Sequence, residues 1–494
     1  MNDPRRLAGS FLRSTLFLLL GLAAPLQADG PVIPDSGAGR RFSELMEAMG
    51  SGDPVRLREW TRAALTPEML RTGPNDPGIL GFLLDQQRDL GGFEVHRALS
   101  SGAEQVEMLV RARKGSRRWL RYVVGVEAAP PGRISGIFAF PAPPDAIPAE
   151  GSSLSAEEAA RTLETAVEEL AAAGRFSGAV LLARGGRPLL RRSWGEAERS
   201  FHAPNRPDTQ FGVASLGKMF TAVAVGRLVE QGKIGWEDPV GKHLKGWLPD
   251  DAAAKVTLRH LLTHTSGLGD FLGALREGDS WRLLDGVAAH RRLVAGAALA
   301  SPPGSEFRYS NAGYLVLGAV VEAVSGRDFY TFVKDEVFAP AGMTRSGYPR
   351  FDDVLENRAT GYLSPEEAKG GGSRTNVSLQ GLRGTPAGGA VSTVDDLLAF
   401  TEALRAGRVL RRETVDALLA PRVKAPFGGH YGFGFEVDRA PGGTVFGHAG
   451  GFPGVGAVLR AYAPSGFTLV ILSNQSHGTA EVAGAWDAIL PRVR

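Results

Sequence analysis

The amino-acid sequence predicts an α+β protein folded in two parts, and three observations carry that expectation. A stretch rich in Pro, Gly and Ser over 141–154 (PAPPDAIPAEGSSL) interrupts the chain; Pro removes a backbone donor and both Pro and Gly punctuate regular structure, so the segment reads as a linker. Upstream, over 29–140, helical stretches are followed by four strand-like runs, the order of a small α+β domain. Downstream, over 155–494, strand-like runs gather at the two ends and helix-like stretches fill the middle. An antiparallel sheet assembled from both ends should therefore carry a helical insertion. A chain of 494 residues has room for both parts.

The first element is a leader. Arg5, Arg6 and Arg13 precede the apolar run from Leu16 to Ala24, and small Ala28 follows. A positive start, a short apolar stretch and a small-residue exit predict a cleaved secretory signal over 1–28, with the mature chain secreted or periplasmic. The run is short for a retained bilayer span. Losing Asp3 and the three arginines lowers the formal net charge from +3 to +1. A nearly neutral chain gives no reason to expect nucleic acid as a partner. No later stretch is long and apolar enough to span a membrane.

In the part 29–140, FSELMEAM and GILGFLLDQQRDL have helical character, and runs at 93–99, 104–112, 118–126 and 133–140 read as strands. Short turns such as Lys114-Gly115-Ser116 and Pro130-Pro131-Gly132 join them. The arrangement is similar to the cone-shaped NTF2-like domains. With no cluster of titratable side chains, a packing or recognition module is expected.

After the linker, Ser155 with Glu158 three residues on forms a capping-box pattern. Leu163, Val167, Leu170 and Ala171 supply the apolar face of that helix, and Gly174 can end it. Runs at 177–184 and 187–194 flank Gly185-Gly186, a two-residue hairpin turn. Near the other end, 443–449, 454–463 and 467–473 read as strands and 479–490 as a final helix.

Several chemistries are excluded by what is missing. With no cysteine there is no thiol catalysis, thiolate zinc or iron–sulfur ligation. His-Glu-x-x-His and His-x-His are absent, so no metal is expected. There is no Gly-x-Ser-x-Gly elbow, Walker loop or Gly-x-Gly-x-x-Gly, and no cofactor is called for.

What is present is Ser215-Leu216-Gly217-Lys218, followed by MFTAVAVGRLVEQG. A largely buried helix should start at or near Ser215, and positions three apart share a helix face, so Lys218 is delivered beside the Ser215 hydroxyl. A hydroxyl is a poor nucleophile until a base takes its proton, and a lysine serves as that base once burial lowers its pKa. Taken alone, the four residues fit an N-cap serine with a solvated lysine better. Tyr309-Ser310-Asn311 lies between a Pro-Pro-Gly turn and the helical stretch AGYLVLGAVVEAVSG. A tyrosine near an amine can relay protons, and an asparagine offers a donor and an acceptor to a substrate amide and to Lys218. An aromatic core plug with an N-cap asparagine is the plainer reading. Third, His448-Ala449-Gly450-Gly451 occupies a strand near the carboxyl end. Glycines let a carbonyl approach the backbone, and the N–H groups of Gly451 and Ser215 could hold an oxyanion.

Ser-x-x-Lys, Tyr-x-Asn and a cationic or polar residue-x-Gly, in that order, resemble the motifs of the penicillin-recognising, β-lactamase-like serine hydrolases. These include class C β-lactamases, D-alanyl-D-alanine carboxypeptidases and serine-lysine-tyrosine carboxylesterases. Leu258-Arg259-His260-Leu261-Leu262-Thr263-His264-Thr265-Ser266-Gly267-Leu268, Ala387-Gly388-Gly389-Ala390-Val391-Ser392-Thr393 and Tyr431-Gly432-Phe433-Gly434 also look like that group. The resemblance spans roughly 175–490 and implies a β-lactamase/penicillin-binding transpeptidase-like fold for 155–494. It implies Ser215 as nucleophile, Lys218 as its activator, Tyr309 as proton relay, and Asn311, His448, Gly450 and Gly451 as substrate-binding residues. Either Lys218 or Tyr309 can be the general base, and His260, His264 and the Ser266-Gly267 turn are expected to be structural.

One departure matters. Where β-lactamases carry Lys-Thr-Gly, this chain has His448-Ala449-Gly450. Histidine is only partly cationic at neutral pH and Ala449 has no hydroxyl, so recognition of a β-lactam carboxylate should weaken. The expected activity is a serine hydrolase of esterase or D-amino-acid peptidase type, acting on a small ester, amide or peptide. A β-lactamase and a non-catalytic scaffold holding a cell-wall peptide or partner protein are the alternatives.

Overall fold

The computed structural model describes residues 33–70, 78–114, 118–129, 132–149, 151–270, 283–364, 367–368, 372–426, 428–440 and 443–494. The expected leader over 1–28, Gly115-Ser116 and Pro130-Pro131 lie outside these. The chain divides into two compact units between Ala142 and Pro143.

In the first unit, α1 (Gly37–Gly50) starts where the Ser36 hydroxyl accepts the Gly39 N–H at 3.0 Å. It buries Phe42, Leu45 and Met49, one stripe of a 3.6-residue period. Helix α2 (Pro54–Ala64) was not anticipated, although its signals are local: Asp53 caps it and Pro54 opens it. Helix α3 (Gly78–Leu90) follows the expected stretch. Strands β1 (Phe93–Ser101), β2 (Gln105–Ala112), β3 (Trp119–Val126) and β4 (Ile134–Pro141) form an antiparallel meander in that order. Alternate residues Val106, Met108 and Val110 of β2 and Leu120, Tyr122 and Val124 of β3 close this unit's core against the helices.

The second unit opens with α4 (Ala156–Ala172) and its capping box: Ser155 Oγ accepts the Glu158 N–H at 3.1 Å, and the Glu158 carboxylate accepts the Ser155 N–H at 2.8 Å. Strands β5 (Gly178–Arg184) and β6 (Arg187–Trp194) form the expected hairpin. Then come the buried helices α5 (Gly217–Glu230) and α6 (Asn311–Ser325). Six further strands of the main sheet follow: β7 (Val423–Lys424), β8 (His430–Tyr431), β9 (Glu436–Ala440), β10 (Gly443–Phe452), β11 (Val455–Ala463) and β12 (Phe467–Ser473). Helix α7 (Thr479–Ile489) ends the unit. The eight strands β5 to β12 make one antiparallel sheet in the order β7-β8-β9-β10-β11-β12-β5-β6, so the two ends of the unit meet where Ile471 faces Val180. The three short strands β7 to β9 were not expected, and β10 continues through Phe452.

Both faces of the sheet are covered. Val180, Leu182, Leu469 and Ile471 point to α4 and α7, while Ala179, Leu181, Val470 and Leu472 join the larger core around α5 and α6. The alternation of side chains along one strand thus feeds two cores. Among the described residues, no helix is long and apolar enough to cross a membrane, and no group of three or more His, Asp or Glu is placed to hold a metal.

Candidate active site

Ser215 sits in a single 3₁₀ turn, Ala214–Leu216, that feeds directly into α5. Ala214 holds φ at +43°, a left-handed conformation costing about 1 kcal/mol for a residue with a Cβ. The neighbouring Gly389 N–H donates to Ala214 O at 3.2 Å and helps hold that turn. Lys218, one turn on, is fully buried inside the apolar helix, as the three-residue spacing requires. Its Nζ lies 3.3 Å from Ser215 Oγ, 2.7 Å from Asn311 Oδ1 and 2.6 Å from Ala387 O. Two of these neighbours can only accept. A neutral amine has two N–H bonds and one lone pair; with both N–H groups spent on Asn311 and Ala387, the lone pair faces the Ser215 hydroxyl. Burial pushes the ammonium down to about 7, against the opposing pull of Asp270 and Glu436.

Tyr309 is brought to the same hydroxyl from the chain entering α6. Its ring centroid is 4.7 Å from Lys218 Nζ, and its phenol hydrogen-bonds Ser215. Burial pushes this phenol well above its ordinary value, so it stays protonated. Ser310 caps α6 by accepting the Gly313 N–H at 3.0 Å, and Asn311 Nδ2 donates to Asp270 Oδ2 at 2.8 Å. Asn311 is thereby fixed as an acceptor toward Lys218. His264 was expected to be structural; it lines no part of the cleft but packs against the site. Its Nδ1 accepts the Ser310 N–H at 3.0 Å, and its ring lies 4.2 Å from that of Tyr309. Burial, then the Lys218 charge, hold its pKa well below 6.5.

The third wall is β10. Gly450 packs on the nucleophile turn: a Cβ there would lie 2.6 Å from Val213 O and 3.0 Å from Ser215 N. At Gly451 an added Cβ would meet nothing within 4 Å. Strand β9 pairs with β10 only as far as Gly447. Beyond it the Ala449 N–H is taken by the Glu436 carboxylate. Strand alternation turns the Gly451 N–H to that same edge, toward the cleft. His448 departs from expectation. Its Nε2 accepts from the Tyr431 hydroxyl at 2.8 Å, and burial, with the Lys218 charge, pushes the imidazole down to about 3. It is neutral, not partly cationic.

Ser215, Tyr309, His448, Ala449, Gly450 and Gly451 line one cleft of about 570 Å³, with Phe307, Pro426 and Glu436 completing its wall. Lys218 and Asn311 lie behind Ser215 in contact with each other. All seven residues singled out in the sequence therefore converge. Glu436 was missed: it follows the Tyr431-Gly432-Phe433-Gly434 landmark, but only the cross-strand register brings it to the cleft. Such a constellation can take a proton from a hydroxyl, hold an oxyanion on two backbone donors and return a proton from a phenol.

The chain is similar to several known proteins. The family model described as Beta-lactamase matches residues 163–494. Penicillin-binding protein 4* of Bacillus subtilis is 32% identical over 64% of this chain and 72% of its own length. Esterase EstB of Burkholderia gladioli is 35% identical over 60% of this chain and 85% of its own. A D-aminopeptidase of Brucella anthropi is 25% identical over 62% and 57%. The crystal structure of a penicillin-binding protein from Bacillus halodurans superposes with a TM-score of 0.60 and 34% identity, over 65% of this chain and 98% of that one.

Proposed function

This chain belongs to the Beta-lactamase family of serine hydrolases, and on that premise we propose that it cleaves small ester or amide substrates, of esterase or D-amino-acid peptidase type, through an acyl-enzyme on Ser215. Lys218 is the general base. Its lone pair takes the hydroxyl proton as Oγ attacks the substrate carbonyl, and the Ser215 and Gly451 N–H groups hold the oxyanion. Tyr309, kept protonated by burial, gives its proton to the leaving oxygen or nitrogen and recovers one from the Lys218 ammonium. In the second half a water loses its proton along the same path, attacks the acyl carbon, and Ser215 leaves with its proton restored. Asn311 keeps the amine aimed, with Asp270 keeping Asn311 aimed.

The observation that carries this reading is the surround of Lys218 Nζ: two pure acceptors at 2.7 and 2.6 Å and one hydroxyl at 3.3 Å. Three acceptors would also serve an ammonium; once burial has made the amine neutral, the two carbonyl oxygens take its hydrogens and its lone pair is left one task. β-Lactam turnover is expected to be slow, because among the described residues lining the cleft none is a cation that could meet a β-lactam carboxylate. The mature enzyme works outside the cytoplasm, secreted or periplasmic, on the strength of the leader pattern at 1–28.

A fluorophosphonate probe tests the proposal. It should label the folded protein at Ser215, and Ser215→Ala should abolish both labelling and p-nitrophenyl ester turnover. Folded protein that takes up no probe, or takes it up elsewhere, contradicts the reading.

A further inference from the structure

Glu436 is the one carboxylate among the described residues lining the cleft, and the acyl-enzyme chemistry leaves it without a task. It opens β9 opposite Gly447 of β10, and its carboxylate occupies the edge of β10 that β9 leaves uncovered. There it accepts the Ala449 N–H, with one oxygen 3.5 Å from His448 Nδ1, and about a third of the side chain, 34%, stays exposed. Gly451 lies two residues farther along the same edge. At about 3.3 Å per residue, the carboxylate is roughly 7 Å along the strand from the oxyanion donor.

The charges acting on it are mixed: Arg460 and Lys218 oppose its sign and Asp438 shares it. Asp270 is the second carboxylate near Ser215 and Lys218, and Asp438 adds its charge near Glu436. His264 and His448 are kept neutral by burial, and the Lys218 amine is turned toward Ser215. Arg460, directly across Gly447 on β11, directs its guanidinium to both oxygens of Asp487, at 2.6 and 2.7 Å. Among the described residues, the cleft wall therefore has a partner for a substrate cation and no cation to meet a substrate carboxylate.

We propose that Glu436 determines specificity in this cleft, and that preferred substrates carry a primary ammonium group within about 7 Å of the scissile carbonyl. The inference rests on the hydrolase reading above and names its substrate class. The ammonium can belong to the acyl part, as in an aminoacyl compound, or to the leaving group, as in an aminoalkyl ester. Phe307 and Pro426 supply apolar wall for the intervening carbons.

Two matched substrate pairs test it and separate the sources: alanine p-nitroanilide against its N-acetyl form, in both enantiomers, and 2-aminoethyl butyrate against 2-methoxyethyl butyrate. In one pair the unaltered protein should favour the cation in kcat/KM by about tenfold or more. Glu436→Gln, which keeps an acceptor for the Ala449 N–H, should bring that ratio close to one, and Glu436→Lys should invert it. No cation preference in either pair, or a preference that survives Glu436→Gln, overturns the proposal. Calorimetry gives an answer independent of turnover: alaninamide should bind Ser215→Ala protein, and adding Glu436→Gln should weaken that binding about tenfold. Equal binding overturns it. Probe labelling at Ser215 without cation preference removes the role of Glu436 alone. Folded protein without labelling removes the hydrolase reading, while the calorimetry still decides the fate of Glu436.

Discussion

At Lys218, burial and the surrounding acceptors pull in opposite directions, and burial prevails. Desolvation lowers the ammonium pKa to about 7, and the two nearest acceptors use up the hydrogens of a neutral amine. The base works deprotonated, so kcat/KM for a neutral ester should be low in acid and rise through an apparent midpoint near pH 7. The Glu436 charge raises the Lys218 pKa, so Glu436→Gln should move that midpoint to lower pH. Desolvation of the inner part of Glu436, a third of whose side chain stays exposed, pushes its carboxyl up to about 7, which makes the observed midpoint a property of both groups. Lys218→Arg keeps the charge but never gives up its proton, and should lower kcat/KM by about 10³-fold. A pH profile flat from 5 to 9 would count against the lysine. The Ser-x-x-Lys spacing made this pair legible in the sequence, because three residues of helix fix which side chains meet. His264 and Glu436 were not legible as neighbours of the site: one arrives through a left-handed φ of +58° and a ring stack, the other across a strand pair.

At the level of elements, the site is the meeting of a helix start with a strand edge. Gly450 permits the close approach, since a Cβ there would press on Val213 O and Ser215 N, whereas the Gly451 side faces open space. Gly450→Ala should therefore displace β10 from the nucleophile turn and cost about 100-fold in kcat/KM. Gly451→Ala, which keeps its N–H, should cost less than about tenfold. Steady-state kinetics with a p-nitrophenyl ester measures both, and equal effects would contradict the packing described. The long strands and the capped helices were readable because period-2 alternation and Ser155-type caps are local signals. Strands β7 to β9 were not, since two of them are only two residues long, and their pairing depends on β10 being in place.

Over the whole molecule, each unit closes its own core. Phe42, Met108 and Tyr122 belong to one set of contacts, and Phe220, Leu315 and Leu472 to another. The stretch 141–154 was read as a linker from its Pro, Gly and Ser content, and the chain divides between Ala142 and Pro143. Every residue of the proposed chemistry lies beyond Pro143, so a fragment 143–494 should fold and take up fluorophosphonate at a rate within about threefold of the full chain. A fragment that folds but does not label would show that the first unit takes part in the chemistry.

The most direct test is to quench the reaction with p-nitrophenyl butyrate in acid and weigh the peptides. One butyryl group is expected on the peptide bearing Ser215, accumulating in Tyr309→Phe protein if deacylation slows, and absent from Ser215→Ala. Continued turnover with no acyl group on that peptide, or with the group on another residue, would contradict the account.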